Sequence, residues 1–261
     1  MNGLTFGQYI PMNSLVHRLD PRTKLLNVVV LMIAILAAVH PVALALITLY
    51  LGFLILIARV PFRVYWQGVK PLFFLIVLSA GFQLFFVPGH PVWQWRFLTI
   101  TAEGTTLAAL MTYRLIYLFL VAQWLTLTTS PLALTDGIEK LLKPFERFGM
   151  PAHELAMIMS IALRFIPVLY EEGEKIAKAQ MSRGANFGGG VVNGLRNMVA
   201  ILVPLFLRAF RRAEDLAMAM EARCYTGGKG RTRLKEIRFG RIDYAVLAAG
   251  MVMLGLSFMG V

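Results

Sequence analysis

The chain contains a stretch of 34 residues, Leu25–Ala58, without a charged side chain. A transmembrane helix needs about 20 apolar residues, so this stretch is too long for one span and a little short for two full ones. His40-Pro41 interrupts the stretch near its middle, and proline disfavours helical geometry in the residue before it. The stretch therefore predicts a helical hairpin, Leu25–Val39 followed by Val42–Ala58, that crosses a membrane twice.

Composition extends this interpretation to the whole chain. Only 15% of the residues are charged, against ~25% in soluble domains, and the mean hydropathy is +0.67. Three further apolar runs predict spans at Pro71–Val87, Gly104–Thr128 and Tyr244–Met259. We therefore expect an all-α integral membrane protein with about five transmembrane helices and a cytoplasmic domain of long crossed helices.

The distribution of charge predicts the topology and the domains. Eighteen of the 26 lysines and arginines lie between Ser130 and Arg241, and basic segments mark the cytoplasmic side of a membrane. Met1–Lys24 and Arg59–Lys70 are basic too, so the N-terminus is expected in the cytoplasm. We predict a membrane domain of four spans at residues 1–129, a cytoplasmic domain at 130–241 and a final transmembrane helix at 242–261.

Two long helices are predicted in the cytoplasmic domain, at Ala152–Ser182 and Val191–Ala222, and Gly188–Gly190 is expected to separate them. Their first halves are apolar enough to raise a transmembrane interpretation. Charged residues and prolines argue against it, so we expect the helices to start in the inner leaflet and pass obliquely into the cytoplasm. These residues are Glu154, Arg164 and Pro167 in the first helix, and Arg196, Pro204 and Arg208 in the second.

The ends of these helices form a degenerate repeat at an offset of 40 residues. The matching pairs are Glu174 with Glu214, Ala177 with Ala217, Ala179 with Ala219, and Arg183 with Arg223. Such a repeat predicts two equivalent arms, although arginine is common at helix ends and coincidence stays an alternative. The four alanines, Ala177, Ala179, Ala217 and Ala219, would let the two helices cross closely.

Each arm ends in an arginine between small residues: Ser182-Arg183-Gly184 in the first, Ala222-Arg223-Cys224 in the second. An arginine can pair through two hydrogen bonds with a carboxylate. Small neighbours allow it to enter a narrow pocket on another protein. The two tripeptides are therefore the candidate partner-binding residues.

Arg114 lies near the middle of the fourth predicted span. A charge inside a membrane is costly and is by default a hypothesis for a functional site. The structural alternative, which we favour, is that Arg114 faces the helix bundle and binds backbone carbonyls or Glu103.

The sequence shows no catalytic or metal-binding pattern. Gly228-Lys229 is followed by glycine, so the phosphate-binding loop of nucleotide hydrolases is absent. The four histidines have no metal-ligand spacing, and the only cysteine, Cys224, has no evident base partner. We expect neither enzymatic activity, nor a metal, nor a cofactor in this chain, although an active site assembled from distant helices would escape such a search.

The two arms and an N-terminal motif together resemble the transmembrane T component of energy-coupling factor (ECF) transporters. The motif reads Ser14-x-x-His17-Arg18-Leu19-Asp20-Pro21-Arg22-x-Lys24-Leu25. That family typically has Ala-Arg-Gly in both arms, whereas here Ser182 replaces the first alanine and Cys224 replaces the second glycine.

The resemblance implies a scaffold in the prokaryotic cell membrane. It would join two cytoplasmic ABC ATPase subunits, which bind ATP and Mg, to a small substrate-binding membrane subunit that takes up a vitamin or a metal ion. Arg183 and Arg223 would each dock into one ATPase, and the long helices would form the coupling domain.

Two alternatives remain at this stage. An autonomous secondary transporter would need discontinuous helices and intramembrane acids, but Glu103 and Asp243 lie only at the ends of spans. An intramembrane enzyme would need clustered histidines or acids at one depth, and none is seen. The sequence does not name the substrate, because the substrate would bind another subunit.

Overall fold

The structure is a computed structural model that describes residues 9–12, 14–95, 98–184, 191–227 and 239–259. The chain divides into two compact units, Met1–Gly137 with Glu236–Val261, and Ile138–Lys235. The division into a membrane domain, a cytoplasmic domain and a final transmembrane helix, at residues 130 and 241, stays a prediction. The predicted glycine stop at Gly188–Gly190 lies outside the described residues.

The first unit is built from helices and one β-hairpin. Its elements are α1 (Pro21–Ala37), α2 (Pro41–Ala58), α3 (Phe62–Val69), a 3₁₀ turn (Lys70–Leu72), α4 (Phe73–Phe86), β1 (Pro91–Trp95), β2 (Leu98–Thr101), α5 (Ala102–Thr128), the start of α6 (Pro131–Leu142), and α9 (Arg241–Met259). The second unit contains the rest of α6, a 3₁₀ segment (Lys143–Phe148), α7 (Ala152–Ser182) and α8 (Val191–Ala222).

The structure confirms the prediction of an all-α membrane protein, with the short β1–β2 hairpin as its only sheet in the described residues. Five helices there are long and apolar enough to cross a membrane: Pro41–Ala58, Phe62–Phe86, Ala102–Thr128, Ala152–Ser182 and Arg241–Met259. The number agrees with the prediction but the set differs. The first predicted span falls in α1, which has 17 residues and is not in the set. Helix α7 is in the set because its 31 residues include a long apolar half.

Two elements were missed between the predicted spans. The predicted turn Arg59–Lys70 contains α3, and Pro71 does not break the helical path because a proline in the first turn of a helix removes only an N–H without an intrahelical partner. The predicted outer loop contains the antiparallel hairpin, in which Trp93 faces Ile100 in the register. The aromatic and β-branched residues of β1 and β2 are a strand signal.

The core of the first unit lies between α1, α2 and α5. Its largest fully buried apolar side chains are Trp124, Tyr65, Leu31, Ile35, Ile47 and Leu51. The indole of Trp124 donates a hydrogen bond of 3.4 Å to the carbonyl of Leu54, which joins α5 to α2. Helix α9 packs on α1, and Gly250 allows a close approach there because a Cβ would collide with the side chain of Asn27.

The N-terminal motif residues tie three helices together. Asp20 caps α1 through the backbone N–H of Arg22 (2.9 Å) and pairs with the guanidinium of the same arginine at 2.8 Å. The backbone N–H of Asp20 donates to the carboxylate of Asp243 on α9 (2.9 Å). Lys24, which is buried, donates to the carbonyl of Thr128 at the end of α5 (2.9 Å). The motif is therefore a buried polar junction. This junction explains why charged residues are found at the start of the apolar helix α1.

Candidate functional site

Helices α7 and α8 form an antiparallel pair. The side-chain amide of Gln180, near the end of α7, donates to the carbonyl of Ala200, near the start of α8, at 3.3 Å. At the other end of the pair, Ile161 of α7 and Met220 of α8 line the same cavity. The two arms therefore run in opposite directions.

An ion pair lies at the centre of this helix pair. Arg212 Nη1 is 3.0 Å from Glu172 Oε1, and the guanidinium carbon of Arg212 lies 5.8 Å from the centre of the Phe165 ring. Glu172 and Arg212 are 40 residues apart, which is the offset of the sequence repeat. The two helices thus meet at equivalent positions of the repeat, which carry opposite charges.

The helices are antiparallel on both sides of this ion pair. Gln180 binds the carbonyl of Ala200 on one side, and Ile161 and Met220 line one cavity on the other. The Glu172–Arg212 pair therefore marks the crossing of the two helices.

A cavity of about 240 Å³ lies along one side of the helix pair. Among the described residues that line it, Arg212 alone is charged; the others include Ile161, Phe165, Leu169, Ala213, Ala217 and Met220. Within the described part of the chain, no group of three or more histidines, cysteines or acids could hold a metal ion.

Both arms end in the same backbone geometry. Helix α7 ends at Ser182, and Gly184 follows Arg183 with a left-handed φ of 89°. Helix α8 ends at Ala222, and Cys224 follows Arg223 with a left-handed φ of 56°. The N–H groups of Gly184 and Cys224 donate to the carbonyls three residues earlier, at 3.0 and 2.8 Å.

The six predicted partner-binding residues are all exposed: Ser182, Arg183, Gly184, Ala222, Arg223 and Cys224. In the described part of the chain, the guanidiniums of Arg183 and Arg223 make no hydrogen bond or ion pair. Arg183 follows Glu172, and Arg223 follows Arg212, by 11 residues, or about 16 Å of helix. The two arginines therefore lie at similar distances from the Glu172–Arg212 pair along their helices, on the order of 30 Å apart. Docking itself stays a prediction.

The four alanines predicted at the crossing lie on either side of the Glu172–Arg212 pair, with Ala177 and Ala179 after Glu172 and Ala217 and Ala219 after Arg212. Ala217 lines the cavity, and Ala179, Ala217 and Ala219 are all exposed. Their part in the close approach of the helices stays a prediction.

Arg114 binds a carbonyl in the first unit. Its Nη2 donates to the carbonyl of Ala38, just after α1, at 3.3 Å. Glu103, the other partner considered from the sequence, instead accepts from the backbone N–H of His90 at 2.7 Å. Arg114 therefore links α5 to the end of α1, and its functional importance stays a prediction.

Sequence reasoning did not identify the Glu172–Arg212 pair. The signal was present, because the repeat offset places these opposite charges at equivalent positions. The offset predicts a contact between these two residues only when the two helices are known to be antiparallel and to cross there.

Comparison with known proteins agrees with this architecture. The sequence pattern of the cobalt transport protein family, CbiQ, matches residues 12–234. The chain is 48% identical to the energy-coupling factor transporter transmembrane protein EcfT of Acidaminococcus fermentans, over 98% of this chain and 95% of that protein. It is 49% identical to EcfT of Thermosediminibacter oceani (98% and 97% covered) and 44% identical to EcfT of Listeria innocua (99% and 98% covered). The chain is therefore a multi-pass membrane protein that belongs to the family of energy-coupling factor transporter transmembrane proteins.

Proposed function

We propose that this chain is the coupling subunit of an ECF-type importer. It links ATP hydrolysis by two cytoplasmic ABC ATPases to the reorientation of a small substrate-binding membrane subunit, which takes up a vitamin or a metal ion. ATP and Mg bind to the partner ATPases, and this chain has no catalytic role. It lies in the prokaryotic cell membrane with its N-terminus in the cytoplasm.

The observation that carries this proposal is that two arm arginines are exposed and make no hydrogen bond or ion pair within the described residues. Arg183 and Arg223 lie at similar distances from the Glu172–Arg212 pair, at the ends of helices that run in opposite directions. A partner with two equivalent pockets matches this arrangement. A dimer of ATPases has that property, because symmetric oligomers present the same surface on each subunit.

The contact at each arm is a charge-assisted hydrogen bond. A guanidinium that enters a pocket can bind a carboxylate through two parallel N–H···O bonds. Loss of one member of such a buried interfacial pair typically costs about 2–5 kcal/mol, so each arm would be held firmly enough to be pulled. Because each arm continues a long helix, a displacement of its end would be passed to the crossing.

The two arms together would bind more tightly than either alone. Once one arm is docked, the other faces its own pocket at a high effective concentration. Loss of one arginine should therefore weaken binding, and loss of both should abolish it. A substrate carrier that works without ATPases would not show this dependence.

The test uses the charge reversals Arg183→Glu, Arg223→Glu and the double variant. Co-purification of the ATPases and substrate uptake are measured for each. The matched control is the double variant Lys178→Glu with Arg211→Glu, which reverses one exposed cation on each of the same helices. We expect each single reversal to impair uptake more than ATPase binding, and the double reversal to abolish both. Normal binding and uptake in the double reversal would refute the proposal.

The proposed orientation has its own test. In a Cys224→Ser background, single cysteines at Gly89 and Gly188 should react with a membrane-impermeant thiol reagent from opposite sides of the membrane. Reaction of both from one side would refute the proposed topology.

A further inference from the structure

Cationic and aromatic residues cluster where α2 is followed by α3. Arg59 ends α2 in a left-handed conformation, and α3 carries Phe62, Arg63 and Trp66 before the chain reaches Lys70. All five side chains are exposed. We call these five residues the α3 corner.

Helix α3 is held in one orientation by α5. Tyr65 is 1% exposed, and the side-chain amide of Gln123 on α5 donates to the carbonyl of Val64 at 3.1 Å. A Cβ at Gly68 would collide with the same glutamine side chain, so α3 approaches α5 closely. The opposite face of α3 therefore points away from the helices of its unit.

The exposed face has an apolar edge and a cationic edge. At about 100° per residue, Phe62 and Trp66 are adjacent, and Lys70 and Arg63 follow within an arc of about 100°. Phe62 is 72% exposed and Trp66 is 57% exposed. Aromatic rings and cations thus lie side by side along one strip of the helix surface.

No acidic side chain in the described part of the chain pairs with these cations. The sequence has no acidic residue between Asp20 and Glu103. In the described part of the chain, the side chains of Arg59, Arg63 and Lys70 make no hydrogen bond or ion pair. Two of the candidate spans, Pro41–Ala58 and Phe62–Phe86, meet at this corner, so it lies at the edge of the apolar part of the molecule.

We propose that the α3 corner binds the headgroups of anionic phospholipids. Arg59, Arg63 and Lys70 would hold the headgroup phosphates, because long cationic side chains at a membrane edge extend their charges to the polar layer. Phe62 and Trp66 would lie at the level of the headgroups and upper acyl chains, as aromatic residues do at membrane interfaces. Charge complementarity selects a lipid of negative net charge over a zwitterionic one.

The test uses Trp66 as its own reporter. The full-length chain in its transporter complex is reconstituted into phosphatidylcholine nanodiscs that contain a minor fraction of brominated phosphatidylglycerol or, separately, of brominated phosphatidylcholine. Bromine quenches tryptophan fluorescence on contact, and subtraction of the Trp66→Phe variant isolates the Trp66 signal. We expect brominated phosphatidylglycerol to quench this signal about threefold more than brominated phosphatidylcholine, and high salt to reduce the difference.

Variants identify the residues responsible. The triple variant Arg59→Gln, Arg63→Gln, Lys70→Gln should abolish the preference for phosphatidylglycerol. The triple control Lys143→Gln, Arg147→Gln, Arg208→Gln removes the same charge from exposed positions elsewhere and should retain it. Equal quenching by the two lipids, loss of the preference in the control, or no quenching of Trp66 by either lipid would each overturn the proposal. The salt dependence is measured on the unmodified chain, so it remains decisive if the triple variant does not fold.

Discussion

Gly184 and Cys224 occupy the same backbone position, since each is the left-handed residue directly after an arm arginine. Glycine adopts this conformation freely, whereas a residue with a Cβ pays roughly 1–2 kcal/mol. Cys224 is nevertheless held there by two backbone bonds: its own N–H donates to the carbonyl of Glu221 (2.8 Å) and the N–H of Tyr225 donates to that of Met220 (3.1 Å). This is the Schellman arrangement that ends helices, and it makes Cys224 part of the helix stop as well as of the predicted docking end.

Replacement of Cys224 by glycine should therefore stabilise the protein. The substitution removes the left-handed backbone strain at position 224. Part of this stabilisation is lost because glycine has greater conformational freedom in the unfolded chain. We therefore expect the free energy of unfolding to rise by about 0.5–1 kcal/mol. Gly184→Ala should have the opposite effect. Thermal unfolding in detergent measures both. Ala219→Gly, inside α8, is the control and should destabilise by about 1 kcal/mol; a similar loss in Cys224→Gly would contradict the left-handed assignment.

Much of the fold follows from local signals in the sequence. The bounds of α7, Ala152–Ser182, and of α8, Val191–Ala222, were predicted as the structure has them. Asp20 followed by Pro21 predicted the start of α1, and the cap is present. Such signals succeed because capping and proline geometry depend only on neighbouring residues.

The features that were missed depend on distant residues or on short elements. Helix α3 has eight residues, too few for a clear periodic pattern, and its orientation is set by Gln123 some sixty residues later. The polar junction of Asp20 with Asp243 joins residues that are 223 positions apart. The meeting of Glu172 with Arg212 depends on the antiparallel direction of α7 and α8, which one sequence does not reveal.

A substitution of Arg114 can distinguish a role in stabilising the fold from a role in transport. Arg114→Met keeps an unbranched, flexible side chain but removes the donor to the carbonyl of Ala38. A hydrogen bond from a charged group contributes about 1.5–3 kcal/mol, so we expect a lower yield of folded protein. Any complex that assembles should still hydrolyse ATP and transport substrate. Normal assembly without transport would instead place Arg114 in the mechanism.

The pH dependence of stability should report on His17. Its Nε2–H donates to the carbonyl of Ile10 (3.1 Å), so its Nδ1 accepts from the hydroxyl of Ser14 (2.7 Å) in the neutral ring. Burial, and then the charge of Lys24, lower the pKa of His17 below 6.5, against the opposing effect of the backbone hydrogen bonds. Just below pH 6.5 the unfolded chain therefore binds more protons than the folded one, and stability falls as the pH falls through that range.

We expect the unfolding temperature in detergent to drop on acidification from about pH 7 to about pH 5. The drop should be smaller in His17→Gln, because that side chain does not titrate. His40→Gln changes an exposed histidine and should leave the drop intact. An identical pH profile for His17→Gln and the unmodified chain would contradict this account.

The Glu172–Arg212 charge pair gives the sharpest test of the helix crossing. Glu172→Arg places two cations together and Arg212→Glu places two anions together, so each should destabilise the crossing. Both side chains are partly exposed, at 22% and 42%, which limits the coupling energy in a double-mutant cycle to about 1 kcal/mol. The double variant Glu172→Arg, Arg212→Glu exchanges the charges between equivalent positions and should restore stability and substrate uptake. Glu171→Arg and Arg211→Glu are the matched controls: they are the preceding residues, 40 apart and exposed, and should change little. If the exchanged pair transports no better than either single variant, Glu172 and Arg212 do not act as one contact at the crossing.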